Sequence, residues 1–188
     1  MIVAILTVCT ANLCRSPLLE RILQGSLDRV LRAERSIRVV SAGTRARPGE
    51  PSPPIVRELV AEHAGDPSAM VATALTADLV QDAELILTAT REHRSAVVRL
   101  HRRALRTTFT VREFGRLLDG LDLSEPVGLP GLVRAVAGCR GRLPPVPAEA
   151  DAIADPIGGG RAGYESAVLH MLPVVDALTS ALVRTSPR

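Results

Sequence analysis

The residues with the clearest chemical potential form one short string, CTANLCRSP, at positions 9–17. The string follows an apolar run, IVAILTV at 2–8, and precedes a pattern of helical period, so it is expected to join a strand to a helix. Backbone amides in such a loop converge on one point with the helix dipole behind them, which favours a tetrahedral oxyanion such as phosphate. The string therefore predicts an anion-binding loop.

Three side chains add reactive chemistry to this loop. Cys9 lies at its base, where the same electric field favours the nucleophilic thiolate over the thiol. Arg15 follows six residues later, and its planar guanidinium can hold two phosphate oxygens at once. Ser16 offers a hydroxyl that can hydrogen-bond the thiolate. The alternative for Cys9 and Arg15 is a buried strand-end cysteine beside a surface arginine, because Cys-x5-Arg alone recurs by chance.

Strands that alternate with helices predict an α/β fold in which the loop occupies a functional position. Strands are expected at 2–8, 36–44, 84–90 and 106–111, and helices from residue 17 and at 53–65, 91–101, 112–120 and 160–183. This order predicts a central four-stranded parallel sheet with helices on both faces. In open sheets of this kind ligands bind beyond the carboxyl ends of the strands, which is where residues 9–17 lie.

Length and composition predict a single domain over residues 1–188. Residues 119–150 are rich in Gly and Pro, which indicates an insertion or long loop in which 132–138 could form a short helix and 142–151 is extended. The net charge of +3 is small, and the densest basic run, 91–106, lacks the aromatic side chains that stack on bases. No nucleic-acid partner is therefore expected.

The chain is expected to be cytoplasmic. The apolar stretch 164–183 is interrupted by two acidic residues, a histidine and Pro173, so no membrane span is predicted, although Pro173 could kink a closing helix there. The first eight residues are too short for the core of a signal peptide and carry no basic flank. In that compartment Cys9, Cys14 and Cys139 would be reduced.

The string C-x-x-N-x-C-R-S-P after an amino-terminal strand resembles the phosphate-binding loop of the low-molecular-weight protein-tyrosine phosphatases. Three further segments are similar to that family: SAGT at 41–44, LTATREHR at 87–94 and DPIGGG at 155–160. These segments cover most of the chain except about 119–150. Other phosphatases that use Cys-x5-Arg usually place a histidine before the cysteine and carry the loop late in the chain, whereas Val8 precedes Cys9 here.

The resemblance implies a phosphomonoester hydrolase that acts on protein phosphotyrosine or aryl phosphates through a cysteinyl-phosphate intermediate. Cys9 would attack phosphorus, and Arg15 would bind the transferring group. Asp155 would protonate the leaving oxygen and then deprotonate the attacking water, a task that typically contributes roughly 10²–10⁴-fold to the rate. Ser16 would assist the thiolate as a leaving group, and Asn12 would brace the loop. The substrate-binding loop would consist of Thr10, Ala11, Asn12, Leu13, Cys14 and Ser16.

The expected partner is a phosphorylated protein, and no cofactor is expected. Arg15 and the loop amides would supply the charge stabilisation that a metal provides elsewhere. The carboxylates and the four isolated histidines show no spacing typical of metal ligands, so no metal site is predicted and the histidines are expected to be structural or solvent-facing. The sequence makes no prediction about oligomeric state.

Asp155 has two rivals for the role of general acid. Asp66 also precedes a proline, but an Asp-Pro pair commonly forms only a turn. Asp155 is followed by three glycines, which allow a loop to bend over a site, and the resemblance places the acid late in the chain. Asp151 is the remaining alternative.

Other positions leave alternatives open. Cys14 is either a small buried residue at a helix start or, as the resemblance implies, a resolving thiol that forms a disulfide with Cys9 under oxidation. Ala11 stands where the family often has Gly, and the loop is expected to tolerate it. Ile157 replaces the aromatic residue that many members carry after Asp-Pro, which leaves the aryl substrate open. Tyr164 is expected to pack the last helix rather than to recognise substrate.

Two other functions compete with hydrolysis. An arsenate reductase could use the same loop, but the thioredoxin-linked type needs two further cysteines and only Cys139 is available, so an external thiol would be required. A redox- or anion-sensing module with little turnover is the third reading, and it would have no use for a general acid at Asp155.

Overall fold

In the part of the chain that the computed structural model describes, residues 3–31, 37–121 and 128–184, four parallel strands form the centre of the fold. They are β1 (Val3–Cys9), β2 (Ile37–Gly43), β3 (Ala83–Thr88) and β4 (Thr108–Thr110). Their order is β2-β1-β3-β4, with every neighbouring pair parallel. The predicted fold class is confirmed. Positions 2 and 36, the first of two predicted strands, lie outside the described residues.

Among the described residues, four α-helices connect these strands and three more follow β4. They are α1 (Arg15–Val30), α2 (Pro54–Glu62), α3 (Ala77–Asp82), α4 (Arg91–Leu100), α5 (Val111–Asp119), α6 (Gly128–Gly138) and α7 (Gly160–Arg184). The sequence analysis did not predict α3, a short helix whose first turn is capped by the Thr76 side chain, which accepts from the Leu79 amide.

Alternate side chains of the strands fill two separate cores, one on each face of the sheet. Ile5 and Leu85 pack on the face covered by α1, α2, α5, α6 and α7. Leu6 and Ile86 pack on the opposite face, with side chains from α3 and α4. Burial of such side chains contributes about 1.5–3 kcal/mol each, and burial on both faces explains why the strands read as continuous apolar runs.

β4 is shorter than the predicted strand at 106–111 because helical elements occupy the residues on either side of it. A 3-10 helix covers Arg102–Arg106 on one side. On the other, Thr110 caps α5 in a capping box with Glu113, whose side chain accepts from the Thr110 amide. Only three residues remain for pairing with β3.

Residues 128–138 are not loop but the helix α6, longer than the short helix expected at 132–138. Four of its side chains, Leu129, Leu132, Val133 and Val136, are buried in the main core. The extended stretch expected at 142–151 ends instead in a 3-10 turn at Ala148–Asp151. Residues 122–127 lie outside the described residues, and the interpretation of 119–150 as an insertion stays a prediction.

Helix α7 is long and apolar enough to cross a membrane by length and composition alone. Half of its most apolar window is buried inside the protein, where Met171, Val175 and Leu178 fill the main core together with α1 and α5. A core helix meets the same criteria of length and composition. Pro173 lies inside α7, as expected.

Candidate active site

The loop that follows β1 is hydrogen-bonded to the backbone just after β2. The carbonyl groups of Cys9 and Thr10 accept hydrogen bonds from the amides of Thr44 and Arg45, at 3.0 and 2.8 Å. A Cβ atom added at Gly43 would come within 2.5 Å of the Thr10 carbonyl oxygen, so only glycine allows this approach. Gly43 of the SAGT segment thus has a direct steric function, which is to let the loop lie against the strand.

Asn12 holds the shape of the loop from inside. Its backbone lies in the left-handed region with φ of 57°, and its side chain is fully buried. The Nδ2 atom donates to Ser16 Oγ at 2.9 Å and to Ser41 Oγ at 2.7 Å, while Oδ1 accepts from the Thr73 amide at 2.6 Å. One amide side chain therefore ties the loop to α1, to β2 and to the segment after α2.

Cys9 and Ser16 lie in direct contact at the base of the loop. The Sγ and Oγ atoms are 2.9 Å apart, and both residues are almost completely buried. Ser16 Oγ accepts from Asn12 Nδ2, and its hydrogen has two nearby acceptors, the Ala42 carbonyl at 3.4 Å and the closer Cys9 sulfur, which is the stronger acceptor when Cys9 is ionised. The first turn of α1 begins at Arg15 with no side-chain cap, so its amides are free to bind an anion.

Arg15 and Asp155 meet across the site. Arg15 Nη2 donates to Asp155 Oδ2 at 2.7 Å, and Nη1 donates to the Ile153 carbonyl at 3.2 Å. The Arg15 side chain is 8% exposed and that of Asp155 is 50% exposed. The guanidinium is thus fixed between the loop and the segment 153–155, with the carboxylate reaching it from solvent.

The segment after Asp155 turns sharply into α7. Gly158 and Gly160 both have positive φ, 86° and 58°, which side chains with a Cβ rarely adopt. The Ile157 amide donates to Asp155 Oδ1 at 3.3 Å and steadies the carboxylate. The glycines predicted to bend this loop therefore occur where the backbone requires them.

The two rival carboxylates have other partners. Asp151 is buried and is shared by Arg91, whose Nε donates at 2.8 Å, and by Arg116. Asp66 is exposed and accepts from the amide and hydroxyl of Ser68, at 2.9 and 2.7 Å. Of the three candidates, Asp155 is the one that contacts Arg15.

His93 is a site residue to which the sequence analysis gave no role beyond structure or solvent exposure. Its Nε2 atom lies 2.9 Å from Thr10 Oγ1, and its Nδ1 atom lies 2.9 Å from Thr90 Oγ1. Burial, followed by the positive charge of Arg15, lowers the pKa of His93 to about 4. A neutral ring donates from one nitrogen and accepts at the other, so it satisfies both threonines.

Cys14 is buried and contacts Tyr164 near the start of α7. Its Sγ atom donates to the Tyr164 hydroxyl at 3.9 Å, and burial raises the pKa of its thiol to about 11. Tyr164 is partly buried against the main core, as expected, and it also reaches the loop. Leu13 and Ala11 are partly exposed, and Ile157 is 63% exposed.

A further carboxylate connects to the nucleophile through hydrogen bonds. Ser41, which accepts from Asn12, donates from its hydroxyl to Glu20 Oε2 in a short hydrogen bond. Burial raises the pKa of Glu20. Sequence reasoning gave no role to Ser41, Glu20 or Thr73. Ser41 and His93 lie within the quoted segments 41–44 and 87–94, but their partners are set by tertiary contacts.

In the described ranges 3–31, 37–121 and 128–184, no group of three or more His, Cys, Asp and Glu side chains is arranged to hold a metal ion. Cys9, Cys14 and Cys139 are free cysteines. The expectation of a reaction without a metal or cofactor stays a prediction.

Comparison with known proteins identifies the family to which the chain belongs. Residues 4–130 match the model of the low molecular weight phosphotyrosine protein phosphatase family. The probable low molecular weight protein-tyrosine-phosphatase EpsP of Ralstonia nicotianae is 32% identical over 126 residues, which are 67% of this chain and 79% of the relative. The protein-arginine-phosphatase of Bacillus subtilis is 31% identical over 125 residues, 66% of this chain and 79% of its own. Asp155 lies beyond all the residues that the family model matches.

Solved structures extend the similarity of fold to the whole chain. The tyrosine phosphatase amsI of Erwinia amylovora has a TM-score of 0.65 at 23% identity, with 100% of this chain and 95% of that one covered. The YwlE arginine phosphatase of Geobacillus stearothermophilus has a TM-score of 0.67 at 24% identity, with 96% and 92% covered. By its sequence match over more than half of its length, the chain belongs to the low molecular weight phosphotyrosine protein phosphatases, a family of cysteine-based hydrolases.

Proposed function

We propose that this phosphatase hydrolyses phosphotyrosine in proteins through a phosphocysteine intermediate on Cys9. The observation that carries the proposal is the meeting of Cys9, Arg15 and Asp155 at one edge of the sheet, with Arg15 bonded to a carboxylate 140 residues away in the chain. A nucleophile, an anion clamp and a proton donor are the groups that displacement at phosphorus needs.

In the first step the Cys9 thiolate attacks phosphorus and the ester oxygen leaves. The loop amides, the uncapped turn of α1 and Arg15 stabilise the charge on the transferring oxygens. Asp155, half exposed at the mouth of the site, donates its proton to the leaving oxygen. The alcohol departs, and the phosphoryl group remains on sulfur.

In the second step water displaces the sulfur. Asp155, now ionised, removes a proton from the water as it attacks phosphorus. Ser16 donates a hydrogen bond to the departing thiolate, which lies 2.9 Å from its oxygen and is a stronger acceptor than the Ala42 carbonyl at 3.4 Å. Inorganic phosphate leaves, and Asp155 holds the proton needed for the next cycle. No oxidation or reduction occurs.

A second substrate, phosphoarginine, is favoured by one specific observation. Ile157, exposed at the mouth after Asp155 and Pro156, is aliphatic and offers no ring to stack on a tyrosine. One relative of 31% identity is named a protein-arginine-phosphatase. The same nucleophile and acid serve both substrates, because Asp155 can protonate a leaving nitrogen as well as a leaving oxygen.

The test compares two peptides of the same sequence, one with phosphotyrosine and one with phosphoarginine, and measures kcat/KM for phosphate release. We expect hydrolysis of phosphotyrosine, and its absence in Cys9→Ala. A preference for phosphoarginine would make the second substrate correct, and release of phosphate by Cys9→Ala would refute the proposed nucleophile. Arsenate with an external thiol is run alongside, because arsenate reduction without phosphatase activity would support the reductase alternative.

We also propose that the protein acts in the cytoplasm and is regulated by oxidation. The nucleophile must remain a reduced thiol, which a reducing compartment maintains. Peroxide would convert Cys9 to a sulfenic acid, and the Cys14 thiol would displace water from it to form a disulfide. Fractionation of cells under native expression tests the location, and no membrane or nucleic-acid partner is expected.

A further inference from the structure

A cavity that the Cys9 loop does not line lies at the carboxyl edge of the sheet. It has a volume of about 190 Å³ and is bounded by α4, α5 and residues 140–146. Its charged lining, here called the arginine cavity, consists of Arg91, Arg94, Arg116, Arg140, Glu113 and Asp151. Four positive and two negative charges leave a formal charge of +2.

Each carboxylate in the arginine cavity is shared by two arginines. Glu113 accepts from Arg94 Nη1 at 2.8 Å and from Arg140 Nε at 3.2 Å. Asp151 is bound in the same way by Arg91 and Arg116. An ion-pair network of purely structural function could balance its charges one to one, whereas this one retains two excess guanidinium charges in a concave site.

Two of the arginines keep unused donors. Within the described ranges, Arg94 Nε and Nη2 and Arg116 Nε and Nη1 make no hydrogen bond to protein, and both side chains are about one-third exposed. Arg140 is different, because all three of its nitrogens donate to protein and its guanidinium covers the Phe109 ring at 4.0 Å. The free donors therefore come from α4 and α5.

We propose that the arginine cavity is a second phosphate-binding site. Guanidinium groups with free donors match the oxygens of a phosphate dianion, and the excess charge of the cavity is opposite in sign. Phosphate binds there without any chemical step. The ligand is a phosphate group, either the second phosphate of a multiply phosphorylated substrate or free phosphate.

The arginine cavity is adjacent to the active site. Asp151 and Asp155 flank Ile153, whose amide donates to the Ala89 carbonyl at 2.8 Å and whose carbonyl accepts from Arg15 at 3.2 Å. One short segment thus forms a wall of both sites. A substrate with two phosphates can place one at Cys9 and the other among the arginines, an assignment of the natural ligand that rests on the proposed function.

The test uses Arg94→Gln/Arg116→Gln, which removes the two excess charges and leaves each carboxylate one arginine. The matched control is Arg57→Gln/Arg99→Gln, which removes two exposed arginines that do not line the cavity. Equilibrium dialysis with labelled inorganic phosphate counts the bound ions per chain. We expect two for the wild type and the control and one for the cavity variant, and Arg15→Ala should retain only the cavity ion. A wild type that binds one phosphate, or a cavity variant that still binds two, would overturn the proposal.

A second measurement identifies the source of the phosphate. Peptides with one and with two phosphotyrosines are compared, and kcat/KM is measured for each. If substrate supplies the group, the doubly phosphorylated peptide should be favoured by roughly tenfold, and the cavity variant should lose this preference. Equal values with two ions in dialysis indicate free phosphate. The dialysis result does not depend on turnover, so failure of the proposed hydrolysis would be seen separately.

Discussion

Arg15 and Asp155 form an ion pair at 2.7 Å between the buried end of the loop and the exposed segment before α7. In the proposed mechanism both side chains act on the same phosphoryl group, so the ion pair keeps the acid over the anion site. It also places a carboxylate where a phosphate dianion must approach. The two anions repel each other and compete for the donors of Arg15.

Asp155→Asn should therefore bind inorganic phosphate more tightly while it turns over more slowly. The neutral amide removes the repulsion, and turnover should fall by roughly 10²–10⁴-fold for alkyl-like leaving groups, which need a proton. Nitrophenyl phosphate should suffer less because its leaving group is stable as an anion. Inhibition by phosphate and kcat for both substrates are measured. Asp66→Asn is the matched control, and the same loss in that variant would remove Asp155 from the role.

Asn12→Ala should destabilise the protein more than Asn12→Gly. Both variants lose the three hydrogen bonds to Ser16, Ser41 and Thr73, a loss of about 1–3 kcal/mol or more for buried partners. Alanine also has to adopt the φ of 57° at Asn12, which costs roughly a further 1 kcal/mol, whereas glycine adopts it freely. Urea denaturation measures both. Equal stability of the two variants would show that the backbone conformation is not strained.

The reactive side chains could be predicted from the sequence more completely than the residues that position them. Cys9, Arg15 and Ser16 are close in the chain, so a loop between a strand and a helix is enough to bring them together. Asp155 was placed by the glycines that follow it and by the resemblance, because its contact with Arg15 depends on the whole path of the chain and is not readable from local spacing. Glu20 could not be found, since the hydrogen bond from Ser41 joins α1 to β2 through packing alone.

The helices and strands also differ in how well local sequence patterns predict them. β1 and α1 follow from apolar periodicity, which reports burial directly. α6 was underestimated because Gly and Pro are common at its start, where they usually indicate loops, whereas burial of Leu132 and Val136 stabilises the helix. The helix propensity of a local segment does not reveal that it will be buried against segments distant in the sequence.

Protonation of His93 should lower the free energy of unfolding as the pH falls below about 6.5. Its pKa is lowered to about 4 in the folded state, so the unfolded state binds the proton more readily, and stability falls as the pH drops from about 6.5 to about 4. The loss approaches about 1.4 kcal/mol per pH unit within that range and ceases below it. Denaturation of His93→Gln provides the comparison. A difference between the two proteins that does not change with pH would contradict this assignment.

Inactivation by peroxide should be reversible in the wild type. The disulfide between Cys14 and the oxidised Cys9 should form more slowly at lower pH. Burial raises the pKa of Cys14 to about 11, so the fraction of reactive thiolate rises about tenfold per pH unit below that value. After mild peroxide, a disulfide between Cys9 and Cys14 should form faster at pH 9 than at pH 7, as seen by mass spectrometry of a digest. Cys14→Ser should lose activity irreversibly. Full recovery of Cys14→Ser with dithiol would argue against a resolving function.

The covalent intermediate provides the most direct test of the mechanism. Peptide with a labelled phosphate on tyrosine is mixed with enzyme, the reaction is quenched within the first turnover in alkali, where the sulfur–phosphorus bond survives, and the phosphorylated residue is located by mass spectrometry of a digest. We predict one phosphoryl group on Cys9, accumulating further in Ser16→Ala because the thiolate leaves more slowly, and none in Cys9→Ala. A phosphoryl group on any other residue, or turnover without phosphorylation of Cys9, would contradict the account.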